Sequence, residues 1–160
     1  MKTINIYTDG AARGNPGPGG YGVILEYNGY IKELSDGFQL TTNNRMELLA
    51  VIVGLETIKL NGYKINVFSD SKYVVNAVNE NWVFEWEKKN YKKKKNKDLW
   101  IRFLKIYRKH AIKFTWVRGH SGHPQNEKCD ELAVNASNLV ALKKDIGYEN
   151  TLNSPTTLFD

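Results

Sequence analysis

The 160-residue chain has one cysteine, three histidines, four prolines and no apolar run as long as a membrane-spanning helix. Each scarcity excludes something. A lone thiol, Cys129, forms no internal disulfide and points to a reducing cytoplasm. The N-terminus lacks the basic-then-apolar layout of a signal peptide. Zinc fares poorly: His120 and His123 flank Gly122 in a loop ahead of Pro124, His110 is remote in sequence, and a closed site would need more ligands. Cys129 sits in "EKCDELA", on the apolar face of a predicted helix, and reads as core rather than nucleophile.

Lysine is abundant in one place. Residues 88–97, "KKNYKKKKNK", hold seven lysines and no acid; removing these seven from the 23 basic residues leaves 16 against 17 acids, a net of −1. The whole excess of +6 is thus one patch on a nearly neutral body. Such a run is often only a solvated face. This one follows "NWVFEW", where Trp82 and Trp86 stand at helical i, i+4 spacing, and lysines beside exposable rings suit a nucleic-acid partner. A membrane surface is the weaker alternative.

"TDGAARGNPGPGGYG", residues 8–22, satisfies G-x-G-x-x-G at Gly17, Gly19 and Gly22. The dinucleotide reading requires a helix to leave the loop, whereas "YGVILEY" exits as a strand. A strand–turn–strand hairpin fits, and Asp9 needs another explanation. Along the chain, "TINIYTDG", "GGYGVILEY" and "YIKELSDGF" read as three hairpin-linked strands, the last two joined at Asn28-Gly29. "TTNNRMELLAVIVGLETIKL" is a long helix, apolar nearly all round. "YKINVFSD" and "AIKFTWV" are further strands; helices start in "SKYVVNAV", "DLWIRFLKIYRKH" and "NEKCDELAVNASNLV". The expected fold class is α/β, a five-stranded mixed sheet, three strands antiparallel and the rest parallel, with helices on both faces.

Asp9 ends or nearly ends the first strand, Asp70 ends the fourth, and Glu47 lies in the first turn of the long helix. In sheets with parallel strands, functional groups gather beyond the carboxyl ends. If strands one and four are parallel neighbours, Asp9 and Asp70 converge, and Asp130 on the last helix could complete the cluster. Singly, Glu47 could serve the helix macrodipole, Asp70 could cap the following helix, and Asp130 could be a surface charge beside Lys128. Together, two carboxylates at about 4 Å repel by about 4 kcal/mol at an effective dielectric near 20. Convergence therefore predicts a cation, and all-oxygen ligands select Mg²⁺ or Mn²⁺.

With "TDGAARGNPGPGGYG", "TTNNRMEL", "SDSKYV", "WVRGHSGHPQNEKCDELA" and the Trp-rich basic insert in order, the chain resembles type 1 ribonuclease H in its bacterial single-domain form. The resemblance runs from about residue 3 to about 148. It implies a ribonuclease H-like fold and endonucleolytic hydrolysis of RNA in RNA–DNA hybrids, with two Mg²⁺ ions (Mn²⁺ a possible substitute) and 5′-phosphate and 3′-hydroxyl ends. By position, Asp9, Glu47, Asp70 and Asp130 match its metal-binding carboxylates. His120 matches a loop histidine suited to proton shuttling or product release, with Glu127 as a possible assistant. Asn15, Asn43 and Asn44 match positions that read the 2′-hydroxyl. Thr42 and Asn96 match a DNA-phosphate pocket, and Tyr73, Trp82 and Trp86 a channel along the deoxyribose backbone. Departures are Leu40 where many relatives have arginine, Lys72 where some have glutamine, and a shorter handle carrying Glu85 and Glu87. The expected organisation is one domain, 1–148, with its basic handle at 81–98 and a poorly ordered tail over 149–160. A monomer without an obligate protein partner is expected. A non-catalytic hybrid binder and a nuclease for DNA structures are the alternatives.

Overall fold

The structure, a computed structural model, describes residues 2–119 and 123–152. Strands β1 (Lys2–Ala12), β2 (Gly17–Tyr27) and β3 (Tyr30–Thr41) form an antiparallel meander; β4 (Tyr63–Ser69) and β5 (Ala111–Trp116) extend it in the order β3-β2-β1-β4-β5. The β1–β4 and β4–β5 pairings are parallel. The β2–β3 turn falls at Asn28-Gly29 with positive φ at both residues, the conformation that a tight hairpin requires. Helices are α1 (Asn43–Glu56), α2 (Lys72–Asn79), α3 (Trp82–Lys88), α4 (Lys97–Tyr107), α5 (Pro124–Ser137) and α6 (Ile146–Leu152). The expected mixed sheet and helix order are observed.

Helix α1 is apolar nearly all round because it packs on β1 and β2 with one face and on α4 with another. Ile6, Val23, Leu48, Val51, Ile52, Leu55, Trp100 and Phe103 meet in this layer, all essentially without exposure. Helix α5 covers the other face of β2, where alternation brings out Gly20 and Gly22. A Cβ on Gly22 would lie 2.3 Å from the Cys129 carbonyl oxygen, so only glycine lets α5 rest directly on the strand. The strand expected from Gly19 starts two residues earlier, at Gly17, and the turn is confined to residues 13–16. Gly22→Ala should lift α5, costing about 2 kcal/mol or more in stability, measured by denaturant unfolding. Cys129 is fully buried; its thiol lies against the Tyr7 carbonyl at 3.2 Å, and burial pushes its pKa well above the usual range. It is core, as the sequence implies.

Several boundaries differ from expectation, among them the end of α1, at Glu56 rather than Leu60. Strand β3 runs to Thr41, so α1 starts only at Asn43, with Thr42 capping it by accepting from the Arg45 N–H. Helix α6 spans Ile146–Leu152, across position 149 where the tail is expected to begin. It is fixed from beneath by Asp145, whose Oδ1 accepts from the Tyr148 N–H. Residues 153–160 lie outside the described residues.

Candidate active site

The parallel pairing of β1 with β4 ends at Thr8 opposite Ser69. Asp9, still within β1, and Asp70, one residue past the end of β4, come next, which puts both acids at the carboxyl end of the parallel pairing. The Gly10 N–H donates to Asp9 Oδ1 at 2.8 Å and fixes that carboxylate. Glu47 arrives from α1 because Gly10 has no side chain; a Cβ there would lie 2.4 Å from the Met46 carbonyl carbon. One carboxylate oxygen each from Asp9, Glu47 and Asp70 lies within 4.8 Å of the others. The convergence expected from the sequence is therefore real for these three.

The structural alternatives for the acids lose their support here. Ser71, not Asp70, caps α2 by accepting from the Val74 N–H. Glu47 lies beyond the first turn of α1, where the macrodipole benefit has faded. Burial, then the charge of Asp70, pushes the Asp9 pKa up to about 7. Burial and then Asp9 and Asp70 push Glu47 well above the carboxylate range. Glu47 Oε2 is buried and has no hydrogen-bond partner among the described residues. A buried, mutually repelling, all-oxygen set with an unsatisfied ligand atom fits a hard divalent cation and does not fit zinc.

Asp130, half-buried on α5, lines two clefts with Asp9 and Asp70, and its charge adds to the upward push on Asp9. It comes from the opposite face of the sheet to α1 and borders the clefts without joining the three-acid set that converges within 4.8 Å. The smaller cleft is also lined by Gly119, His123, Asn126 and Glu127. Sequence reasoning weighed His123 only as a zinc ligand and passed over Asn126, because both open the helix that carries Asp130 and read as loop-to-helix punctuation. His120 lies outside the described residues.

The larger cleft, of about 390 Å³, continues from the acids past Asn43, Asn44, Lys72 and Tyr73. The Ala12 N–H donates to Asn43 Oδ1 at 2.6 Å, and the Asn43 N–H donates to Asn15 Oδ1 at 2.9 Å. Both amide carbonyls are thus used within the protein, leaving the NH₂ groups to face a ligand as donors. A groove of about 900 Å³ follows, lined by Asn15, Thr42, Asn44, Lys94, Asn96 and the far wall of α6. Asn96 Nδ2 donates to the Tyr73 hydroxyl at 3.1 Å, and Trp100 Nε1 donates to the same oxygen at 2.9 Å.

In the handle, Trp82 is 46% exposed, whereas Trp86 packs edge-on against buried Trp100 and carries Lys94 over its ring. The two tryptophans divide the work that their spacing suggests: one ring is open and one is mostly core. Tyr91, in the middle of the lysines, is buried and anchors the loop through its N–H to the Trp86 carbonyl.

The sequence matches the RNase H family profile over residues 1–138. It is 53% identical over 151 residues to the Ribonuclease H of Desulforamulus reducens, covering 91% of this chain and 94% of that one. Among solved structures, LC9-RNase H1, described as a type 1 RNase H with the type 2 active-site motif, superposes with a TM-score of 0.77 at 32% identity, over 99% of this chain and 84% of that one. LC11-RNase H1, solved in complex with RNA/DNA hybrid, superposes with a TM-score of 0.66 at 30% identity, over 83% and 95% of the two chains. The fold class is thus the ribonuclease H-like α/β architecture, with an acidic cluster able to hold a metal ion at the carboxyl end of its parallel pairing. The chain belongs to the ribonuclease H family.

Proposed function

We propose that this ribonuclease H cleaves the RNA strand of RNA–DNA hybrids at the Asp9, Glu47, Asp70 and Asp130 cluster, leaving 5′-phosphate and 3′-hydroxyl ends. The observation that carries this reading is the convergence of three acids within 4.8 Å in a chain of this family. The family is divalent-metal dependent. These carboxylates would hold two Mg²⁺ ions with substrate, Mn²⁺ substituting; bound there, the metal supplies charge stabilisation and an activated water. The protein's own part is positional and electrostatic. Asp9 and Glu47 have raised pKa values and give up their protons when a cation offsets their repulsion. The outward amide groups of Asn15 and Asn43, with Asn44 beside them, donate to the 2′-hydroxyl oxygen and so select RNA on one strand. Thr42, Asn96 and the handle lysines take the DNA backbone, while Tyr73, Trp82 and Trp86 follow its sugars. His120 keeps the proton-transfer or product-release role that the resemblance implies. No described helix is long and apolar enough to cross a membrane. We assign the protein to a reducing cytoplasm on its single buried thiol, and read it as a monomer.

The test presents one sequence as hybrid, duplex RNA, duplex DNA and single-stranded RNA, with Mg²⁺, with Mn²⁺ and with chelator. Metal-dependent cutting confined to the RNA strand of the hybrid is the expected result. Tight hybrid binding with no cutting in either metal would make the chain a binder and overturn the reading.

A further inference from the structure

One exposed ring next to the acids has a hold on two of the groups in the cleft. Trp116 is the last residue of β5 and stands 39% exposed opposite Ser69 in the parallel ladder. The ladder continues for one bond, from the Val117 N–H to the Ser69 carbonyl. Beyond it the Asp70 carbonyl meets a side chain: Trp116 Nε1 donates to it at 3.0 Å. The indole thereby extends the sheet by one residue, at the position where the chain turns from β4 into α2 and the Asp70 carboxylate must face Asp9 and Glu47. The upper side of the same ring carries the Lys72 ammonium, 5.0 Å from its centroid. Lys72 lines the cleft with four acids, yet its ammonium pairs with no carboxylate among the described residues. A cation in an acidic cleft that is parked on a π-face rather than on an acid keeps its charge available to an incoming anion.

We propose that Trp116 is a positioning residue with two separable actions. Its N–H fixes the backbone of Asp70 for cation binding, and its ring holds Lys72 for a phosphate of the hybrid backbone. The inference rests on the assignment of Asp70 as a metal ligand made above. Phenylalanine keeps the ring and removes the N–H; leucine removes both; glutamine at position 72 removes only the charge. The exposed site of Trp116 lets all of these fold, which thermal unfolding checks.

The readouts are calorimetric Mn²⁺ binding to the free protein, and hybrid binding by fluorescence anisotropy in Ca²⁺ across a salt series. Trp116→Phe is expected to weaken Mn²⁺ binding about threefold, the loss of one partly exposed hydrogen bond, and to leave the salt slope unchanged. Lys72→Gln is expected to leave Mn²⁺ binding at or above wild type, because a neighbouring cation has gone. It should also reduce the slope of log affinity against log salt by about 0.9, the value of one phosphate contact. Trp116→Leu should show both losses. Wild-type Mn²⁺ binding in Trp116→Phe overturns the first action, and an unchanged salt slope in Lys72→Gln and Trp116→Leu overturns the second. Asp70→Asn runs beside them in the cleavage assay. If it cuts like wild type, the assignment of Asp70 itself fails; if it is inactive while Trp116→Phe binds Mn²⁺ normally, only the present inference fails.

Discussion

Asp70→Asn is expected to abolish cleavage and, in chelator, to make the protein more stable. The loss of activity should be about a thousandfold or more, since a metal-binding carboxylate underlies several kcal/mol of transition-state stabilisation. The gain in stability comes from repulsion. Burial and the charge of Asp70 raise the Asp9 carboxyl from its ordinary 3.8 to about 7. A raised carboxyl in the folded state means that folding is penalised wherever the unfolded chain has lost that proton. The penalty is absent below about pH 4, grows as pH rises, and is complete above about pH 7, reaching at most about 4 kcal/mol. Metal-free wild type should therefore lose stability across that window, and Asp70→Asn should recover about 1–3 kcal/mol of it at pH 7. Thermal unfolding in EDTA at a series of pH values measures both; each kcal/mol corresponds to about 2–4 °C. If the asparagine variant is less stable at pH 7, the acids support one another through hydrogen bonds and the account of mutual repulsion is wrong.

Arg45→Met should cost about 3–5 kcal/mol, roughly 10 °C in Tm, because it strands two carboxylates. The guanidinium is only 2% exposed and makes paired bonds of 2.7–2.9 Å to Asp98 and Asp145, with a longer one to Asn96 Oδ1. The Thr41 hydroxyl adds a 2.6 Å bond to Asp145. Burial pushes the guanidinium pKa down, and the two acids more than reverse it. Burial likewise raises Asp98, but Arg45 holds it below the usual carboxylate range. The Asp98 share of this stability is present at neutral pH and is lost as pH falls through the lowered value, so the wild-type advantage over Arg45→Met should shrink in acid. Chemical denaturation at pH 7 and pH 3 reads the difference. Arg45→Lys should recover little, because one ammonium cannot make paired bonds to two acids.

Arg45 also marks the limit of what the sequence discloses. It sits inside "TTNNRMEL", a stretch legible as a motif, yet its partners are 53 and 100 residues away. No local period signals such a contact. Asp9 and Asp70 were legible because each follows an apolar alternating run, although β1 itself continues past Asp9 to Ala12, and Glu47 because it interrupts an apolar helix. Trp116 was not, because its polar partner is a backbone carbonyl, which every residue has. The glycines of β2 are legible as part of a strand, but their purpose lies in the close approach of a helix packed on it, which only the assembled layers disclose. Helix α6 was missed because it is short and largely unburied, and Asp145, which holds it, reads as an ordinary acid.

The division of charge between handle and body has a consequence for the encounter with substrate. Lys94, Lys95 and Lys97 border the groove beside Thr42 and Asn44, while the acids lie in the next cleft, reached past Asn44. A polyanion approaching the molecule is drawn to the lysines and repelled by the carboxylates, so diffusion delivers the duplex handle-first. Tyr91, buried and bonded through its N–H to the Trp86 carbonyl, ties that loop to the body. Ionic strength should then govern mainly how fast hybrids are captured, whereas divalent cation governs what happens once the backbone has slid past Asn44 into the acids. On the function proposed above, capture and cutting fall to opposite signs of charge, in adjoining grooves with one asparagine as their shared wall.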